Sequence, residues 1–158
     1  MSEEKRLTFI ERLTLKYPNK VKIAENGKEA WFEAENKDFG NVTISGDLND
    51  WRDVNDFDDV LEEYEKIGAD FADVTDDFAF IVKVENPILY SAEWLFASEA
   101  IEYLDEVFAD NIILHRFKRS LHWEGTLYRR ASFEKLLAQD KIRLEKKDRL
   151  YVWSGDYT

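Results

Sequence analysis

The sequence predicts an α+β fold in one domain spanning residues 1–158, an antiparallel sheet built from an N-terminal meander and a C-terminal hairpin and packed with about four helices. Three observations predict it. Short β-prone runs near the N-terminus are separated by turn residues, above all Asn26-Gly27. Several later stretches place apolar residues at helical spacing. With only two prolines, six glycines, no internal repeat and no low-complexity tract, the chain offers no linker at which to divide. Its 44% hydrophobic and 15% aromatic content can offset the entropy of ordering despite 35% charged residues.

In chain order, Ser2 is positioned to cap a first helix in which Leu7, Ile10, Leu13 and Tyr17 recur, stopped by Pro18-Asn19. The meander follows as Val21 to Ala24, Ala30 to Ala34 and Val42 to Ser45. A second helix is expected from Asp56 to Ile67, with Asn55 as N-cap and Gly68 beyond its end. At ~100° per residue, Phe57, Val60, Leu61, Tyr64 and Ile67 fall on one face and Asp58, Asp59, Glu62, Glu63 and Glu65 on the other. Phe78 to Val84 reads as a buried strand ended at Pro87. Ser91 could cap a third helix carrying Trp94, Ala97, Ile101, Leu104 and Phe108, with Glu99, Glu102 and Glu106 outside. Asn111 to Phe117 fits either strand or helix, Ser132 to Ala138 fits a short helix, and Ile142, Leu144, Leu150 and Val152 alternate around Glu145-Lys146-Lys147-Asp148 as a closing hairpin.

Charge is segregated along the chain. Of a net −12, residues 1–46 contribute 0, residues 47–110 contribute −17 and residues 111–158 contribute +5. Residues 47–77 alone hold thirteen acids against Arg52 and Lys66. Asp47, Asp50, Asp53, Asp56, Asp59, Glu62 and Glu65 occupy every third position, but a helix turns back ~60° at each such step, so the ladder forms no single stripe. What this spacing does support is an acidic loop feeding a helix with one carboxylate side. Such a one-signed surface could fill a groove that normally holds nucleic acid, and a solubilising face is the competing explanation.

Several chemistries lack their residues. With no cysteine there is no thiolate metal site, disulfide or cysteine nucleophile. The calcium-loop register fails, since a start at Asp47 puts Trp51 and Arg52 at positions five and six, and a start at Asp53 puts Phe57 at position five. His115 and His122 are seven apart, which shares a face only on a helix, and no His-x-x-x-His or Glu-x-x-His pattern accompanies them. Neither Ser45-Gly46 nor Ser154-Gly155 sits in a Gly-x-Ser-x-Gly turn, and no phosphate-cradling glycine motif occurs. Among thirty-four acids a pair suited to glycosidic chemistry is always available, so such a pair carries no information. No metal or cofactor is expected.

Two resemblances are local. Val42-Thr43-Ile44-Ser45-Gly46-Asp47-Leu48-Asn49-Asp50-Trp51 resembles the strand-turn-Trp segment of glycogen-binding modules, which implies carbohydrate contacts at Trp31 and Trp51. The basic end holds Arg116, Lys118, Arg119, Arg129, Arg130, Lys141, Arg143, Lys146, Lys147 and Arg149 among Phe117, Trp123, Tyr128, Tyr151 and Trp153. A short helix followed by a charged hairpin resembles a winged helix, whose hairpin touches a phosphate backbone. The bland account is that these bases face the protein's own acids, or those of a second copy in a homodimer.

The expected role is therefore that of a non-enzymatic, cytoplasmic interaction protein, an inhibitor or antagonist of the nucleic-acid-mimic type used by phages and mobile elements against restriction or CRISPR nucleases. Its partner would be a basic nucleic-acid-handling protein, a nuclease or effector, with neither direct nucleic-acid contact nor a membrane involved. The expected contact set is Asp47, Asp50, Trp51, Asp53, Asp56, Asp58, Asp59, Glu62, Glu63 and Glu65, with Arg116, Lys118, Arg119, Arg129, Arg130, Lys146 and Lys147 as a secondary basic patch. Alternatives are an immunity protein against a basic toxin nuclease, a DNA-binding regulator using the C-terminal helix and hairpin, and a carbohydrate-binding module.

Overall fold

The computed structural model describes residues 7–49, 62, 65–68, 80–86 and 88–157. Among these the fold is α+β, with two antiparallel sheets in place of the one expected, and three helices described along their whole length against about four expected. Chain order is α1 (Phe9–Lys16), β1 (Val21–Ile23), β2 (Glu29–Phe32), β3 (Asn41–Ser45), β4 (Phe80–Asn86), β5 (Leu89–Leu95), α2 (Ala97–Phe108), β6 (Ile112–Arg119), β7 (His122–Arg129), α3 (Arg130–Ala138), β8 (Arg149–Val152) and β9 (Gly155–Asp156). One sheet has the order β1-β2-β3-β4-β5 and the other β7-β6-β8-β9. No described helix is long and apolar enough to cross a membrane.

Contacts group the chain into two compact units. The first comprises Met1–Phe32, Thr43–Lys83 and Ala92–Ile101. Here α1 begins at a Thr8 capping box rather than at Ser2, which lies outside the described residues: the Thr8 hydroxyl accepts from the Glu11 amide and the Glu11 carboxylate accepts from the Thr8 amide, both at 3.2 Å. That start places Phe9 and Leu13 inward and leaves Leu7 38% exposed. Phe9 packs on Phe80 with ring centroids 4.3 Å apart, and Tyr17 meets Phe32 edge-on at 5.5 Å. The meander forms as read. β1 and β2 pair antiparallel, and Gly27 takes the left-handed conformation at φ 67° that the turn after Asn26 requires.

The expected helix at Asp56 to Ile67 falls mostly outside the described residues. Glu62, Glu65 and Lys66 are helical there, and Gly68 follows at φ 78°. Ile67, assigned above to the core face, is 77% exposed; it stands in the turn that ends the helix, where the apolar stripe no longer governs direction.

The second unit comprises Glu33–Val42, Val84–Ser91 and Glu102–Thr158. Two expectations are corrected in and around it, and one open alternative is resolved. Ser91 caps no helix and Trp94 belongs to none, because both lie in β5, and Trp94 is 53% exposed. The cause is local: the Asn86 side-chain oxygen accepts from the amides of Ile88 and Leu89, both at 2.9 Å, and turns the chain back as a strand. Asn111 to Phe117 resolves as strand, so His115 and His122 sit on paired strands and share no helix face. The closing hairpin is β8–β9, turned at Trp153-Ser154, while residues 141–148 form no strand. Leu144 is accordingly 41% exposed, whereas Ile142 packs on a cluster of Ile113, Phe133 and Val152.

Gly40 tests this packing most directly. Its φ is 108°, and an added Cβ would lie 2.3 Å from the Glu85 carbonyl oxygen. Gly40→Ala should therefore cost about 2 kcal/mol or more in urea denaturation. Gly155→Ala, where an added Cβ meets nothing within 4 Å, should change stability by less than about 1 kcal/mol.

Candidate functional site

Strand alternation gives β6 two chemically different faces. On one, Arg116 and Lys118 lie with Trp123 of β7, the Arg116 guanidinium carbon 4.4 Å and the Lys118 ammonium 5.9 Å from the indole centroid. Gly125 stands opposite Arg116 in the ladder and contributes no side chain of its own. Arg116 Nε is buried and has no hydrogen-bond partner among the described residues.

On the other face come His115, Phe117 and Arg119. His115 is 5% exposed, and such burial of an imidazole requires a partner. That partner is Asp148, whose Oδ2 lies 2.9 Å from His115 Nε2. Phe117 and Phe133 flank the ring, with centroids 5.0 and 6.4 Å away.

The same Asp148 oxygen accepts from the Glu145 amide at 3.1 Å, and the Asp148 amide donates to the Glu145 carbonyl at 3.0 Å. These bonds close the turn Glu145-Lys146-Lys147-Asp148. One buried carboxylate thus ties the irregular segment 141–148 to the sheet, and Ile142 adds an apolar contact to the Phe133 cluster. Between the segment and the strands lies a cleft of about 420 Å³. His115, Phe117, Thr126 and Tyr128 line it from the sheet, and Lys141, Arg143 and Glu145 from the segment. An imidazole, an aromatic wall and several cations can bind an anion.

The expected basic patch separates into different roles. Lys118 and Arg119 border the cleft. Arg130 is engaged internally: its Nε and Nη2 donate to the Asp110 carbonyl at 3.2 and 3.0 Å, and its guanidinium lies 4.8 Å from the Tyr157 ring. Tyr157 in turn donates to Glu134 at 3.2 Å, and burial, followed by that carboxylate, raises its phenol above the usual value. Arg129 is exposed before α3, and Lys146 and Lys147 are exposed in the turn.

Of the expected acidic set, Asp47, Glu62 and Glu65 are described, and all three are exposed. Asp47 accepts from the Asn49 amide at 3.3 Å and lies 3.9 Å from Lys28, so it also shapes its own turn. Asp50, Trp51, Asp53, Asp56, Asp58, Asp59 and Glu63 lie outside the described residues. Trp31 is half-buried on β2 opposite Lys22. No three His, Asp or Glu side chains gather to hold a metal among the described residues.

Sequence reasoning counted Lys141 and Arg143 only as part of a basic end, and it missed Asp148 and Thr126 as members of a site. A usable signal was present. Read as a strand, Ile113, His115 and Phe117 share a face, and a histidine between two apolar neighbours needs a partner from elsewhere in the chain. No family model, curated protein or solved structure matches the chain.

Removing one member of a buried pair strands the other. Asp148→Ala should destabilise the protein by about 3 kcal/mol in urea denaturation, and it should speed hydrogen exchange at the Glu145 amide, which loses its acceptor. A loss below about 1 kcal/mol with unchanged exchange would show that the pair does not hold the segment.

Proposed function

We propose that the chain is a non-enzymatic interaction protein whose acidic segment, residues 47–77, binds a basic cleft on a nucleic-acid-handling partner and so acts as an inhibitor or antagonist. One-signed charge carries this reading: the segment contributes −11 of the net −12. A merely solubilising surface is served as well by interspersed charges, without the self-repulsion that an unbalanced block costs. Every acid of the expected contact set that the structure describes is exposed. Ile67, beside Glu65 and 77% exposed, supplies an apolar side chain of the kind that anchors a charged interface.

In this role the carboxylates accelerate encounter and reject acidic competitors, and apolar contacts such as Ile67 slow dissociation. An immunity protein against a basic toxin nuclease is the same physical type and differs only in its partner. A regulator reading would have to use the β8–β9 hairpin, because residues 141–148 form a turn-closed segment rather than a strand.

The test is capture of partners from host lysate by the wild-type chain and by a variant carrying Asp58→Lys, Asp59→Lys, Glu62→Lys and Glu65→Lys. The wild type should retain a basic nuclease or effector and release it as salt rises above ~0.3 M. The variant should bind that protein at least about tenfold more slowly. Equal capture by the two chains would refute the reading, as would retention of the wild type on immobilised duplex DNA with no protein partner.

A further inference from the structure

We propose that the cleft over β6 and β7 binds a phosphate-bearing small molecule with a planar ring, of the mononucleotide class. The proposal concerns a surface that the acidic-segment reading does not use. Arg119, Lys141 and Arg143 all line the cleft, and none of them forms an ion pair among the described residues. Of the two carboxylates there, Asp148 is occupied by the His115 ring and the Glu145 amide, which leaves Glu145 alone against these three cations and Lys118, which also borders the cleft. Unpaired cations gathered in a concave site focus a positive potential inside it. An anionic group of the ligand would meet that potential, and guanidinium groups favour the paired oxygens of a phosphate.

The rest of the cleft suits an attached ring. Phe117 forms part of the wall and is held face-inclined to His115, with 41° between the planes. Aromatic walls of this kind stack planar bases. At the floor, Asp148 fixes one nitrogen of His115, and the other makes no hydrogen bond among the described residues. That nitrogen is a ready donor or acceptor for a hydroxyl or phosphate oxygen. A volume of about 420 Å³ is within the range of small-molecule sites.

The arrangement also separates a cleft ligand from a long polyanion. Lys146 and Lys147 project from the turn and do not line the cleft. A nucleic-acid strand crossing this surface would draw on all the exposed cations alike, whereas a small ligand depends on those inside.

Calorimetric titration with AMP, adenosine, inorganic phosphate and a single-stranded oligonucleotide tests the assignment. AMP should bind one per chain, and adenosine and phosphate at least about tenfold more weakly, since each supplies only part of the contact set. The double variant Lys141→Glu/Arg143→Glu should lose at least about tenfold in AMP affinity, and Lys146→Glu/Lys147→Glu less than about twofold. In the wild-type protein, AMP should shift the amide resonances of Phe117, Thr126 and Arg143. Absence of AMP binding, equal losses in the two variants, or shifts confined to other residues would each overturn the proposal. So would an oligonucleotide that binds more tightly than AMP and is weakened equally by both variants.

Discussion

The hydrogen bond between His115 and Asp148 is the constraint on which the C-terminal unit depends. Either group alone would be a desolvated polar side chain among Phe117, Phe133 and Ile142, and together they satisfy each other. The bond spans thirty-three residues of sequence and reaches a segment without a strand ladder of its own. Such a segment lacks the repeated backbone bonds that position a strand, so its place is set by few contacts. Here they include the Asp148 carboxylate, Ile142 and the Lys141 amide, which donates to the Leu136 carbonyl at 2.9 Å, and the cleft has its shape because they are satisfied.

How much of this was legible from sequence depended on how local the determining interaction is. The Asn26-Gly27 turn, the β1–β2 pairing and the helical spacing from Ala97 to Phe108 are encoded within a few residues of where they act, and each is found. The β4–β5 turn is just as local, yet it was missed, because Trp94 falls by coincidence on the period of the following helix. Asn86, which folds the turn and also donates to the Phe39 carbonyl at 2.9 Å, was the signal to weigh against that period. The closing hairpin failed for a different reason. Ile142 and Leu144 alternate as a strand would, but the carboxylate of Asp148 engages a histidine on another strand and removes that segment from the ladder. No local pattern registers such a partner. The site was therefore half legible: its cations are visible as composition, and its organising pair is a tertiary fact.

Charge counting reaches a similar limit. Seven bases were grouped as one patch, and the structure gives them distinct tasks. Arg130 braces the end of α2 through the Asp110 carbonyl, whose carboxylate in turn accepts from the amide and hydroxyl of Ser154. Arg116 and Lys118 stack over an indole, and the rest are exposed. A guanidinium already committed to a carbonyl is poorly placed to meet a ligand, so the formal +5 of residues 111–158 overstates what the surface offers to one. In the acidic segment, by contrast, the side chains of Glu62 and Glu65 are exposed.

The two faces of β6 also bear on how the chain avoids misfolding. Shifting this strand by one residue against its neighbours would exchange His115 for Arg116 and Phe117 for Lys118. A guanidinium would then enter the Phe133 cluster, Asp148 would lose its imidazole, and Trp123 would lose both cations stacked on it. Every one of those exchanges is unfavourable, so errors in strand alignment are penalised together rather than one at a time. The residues that furnish the cleft thereby act as a built-in proofreader of how the sheet is assembled.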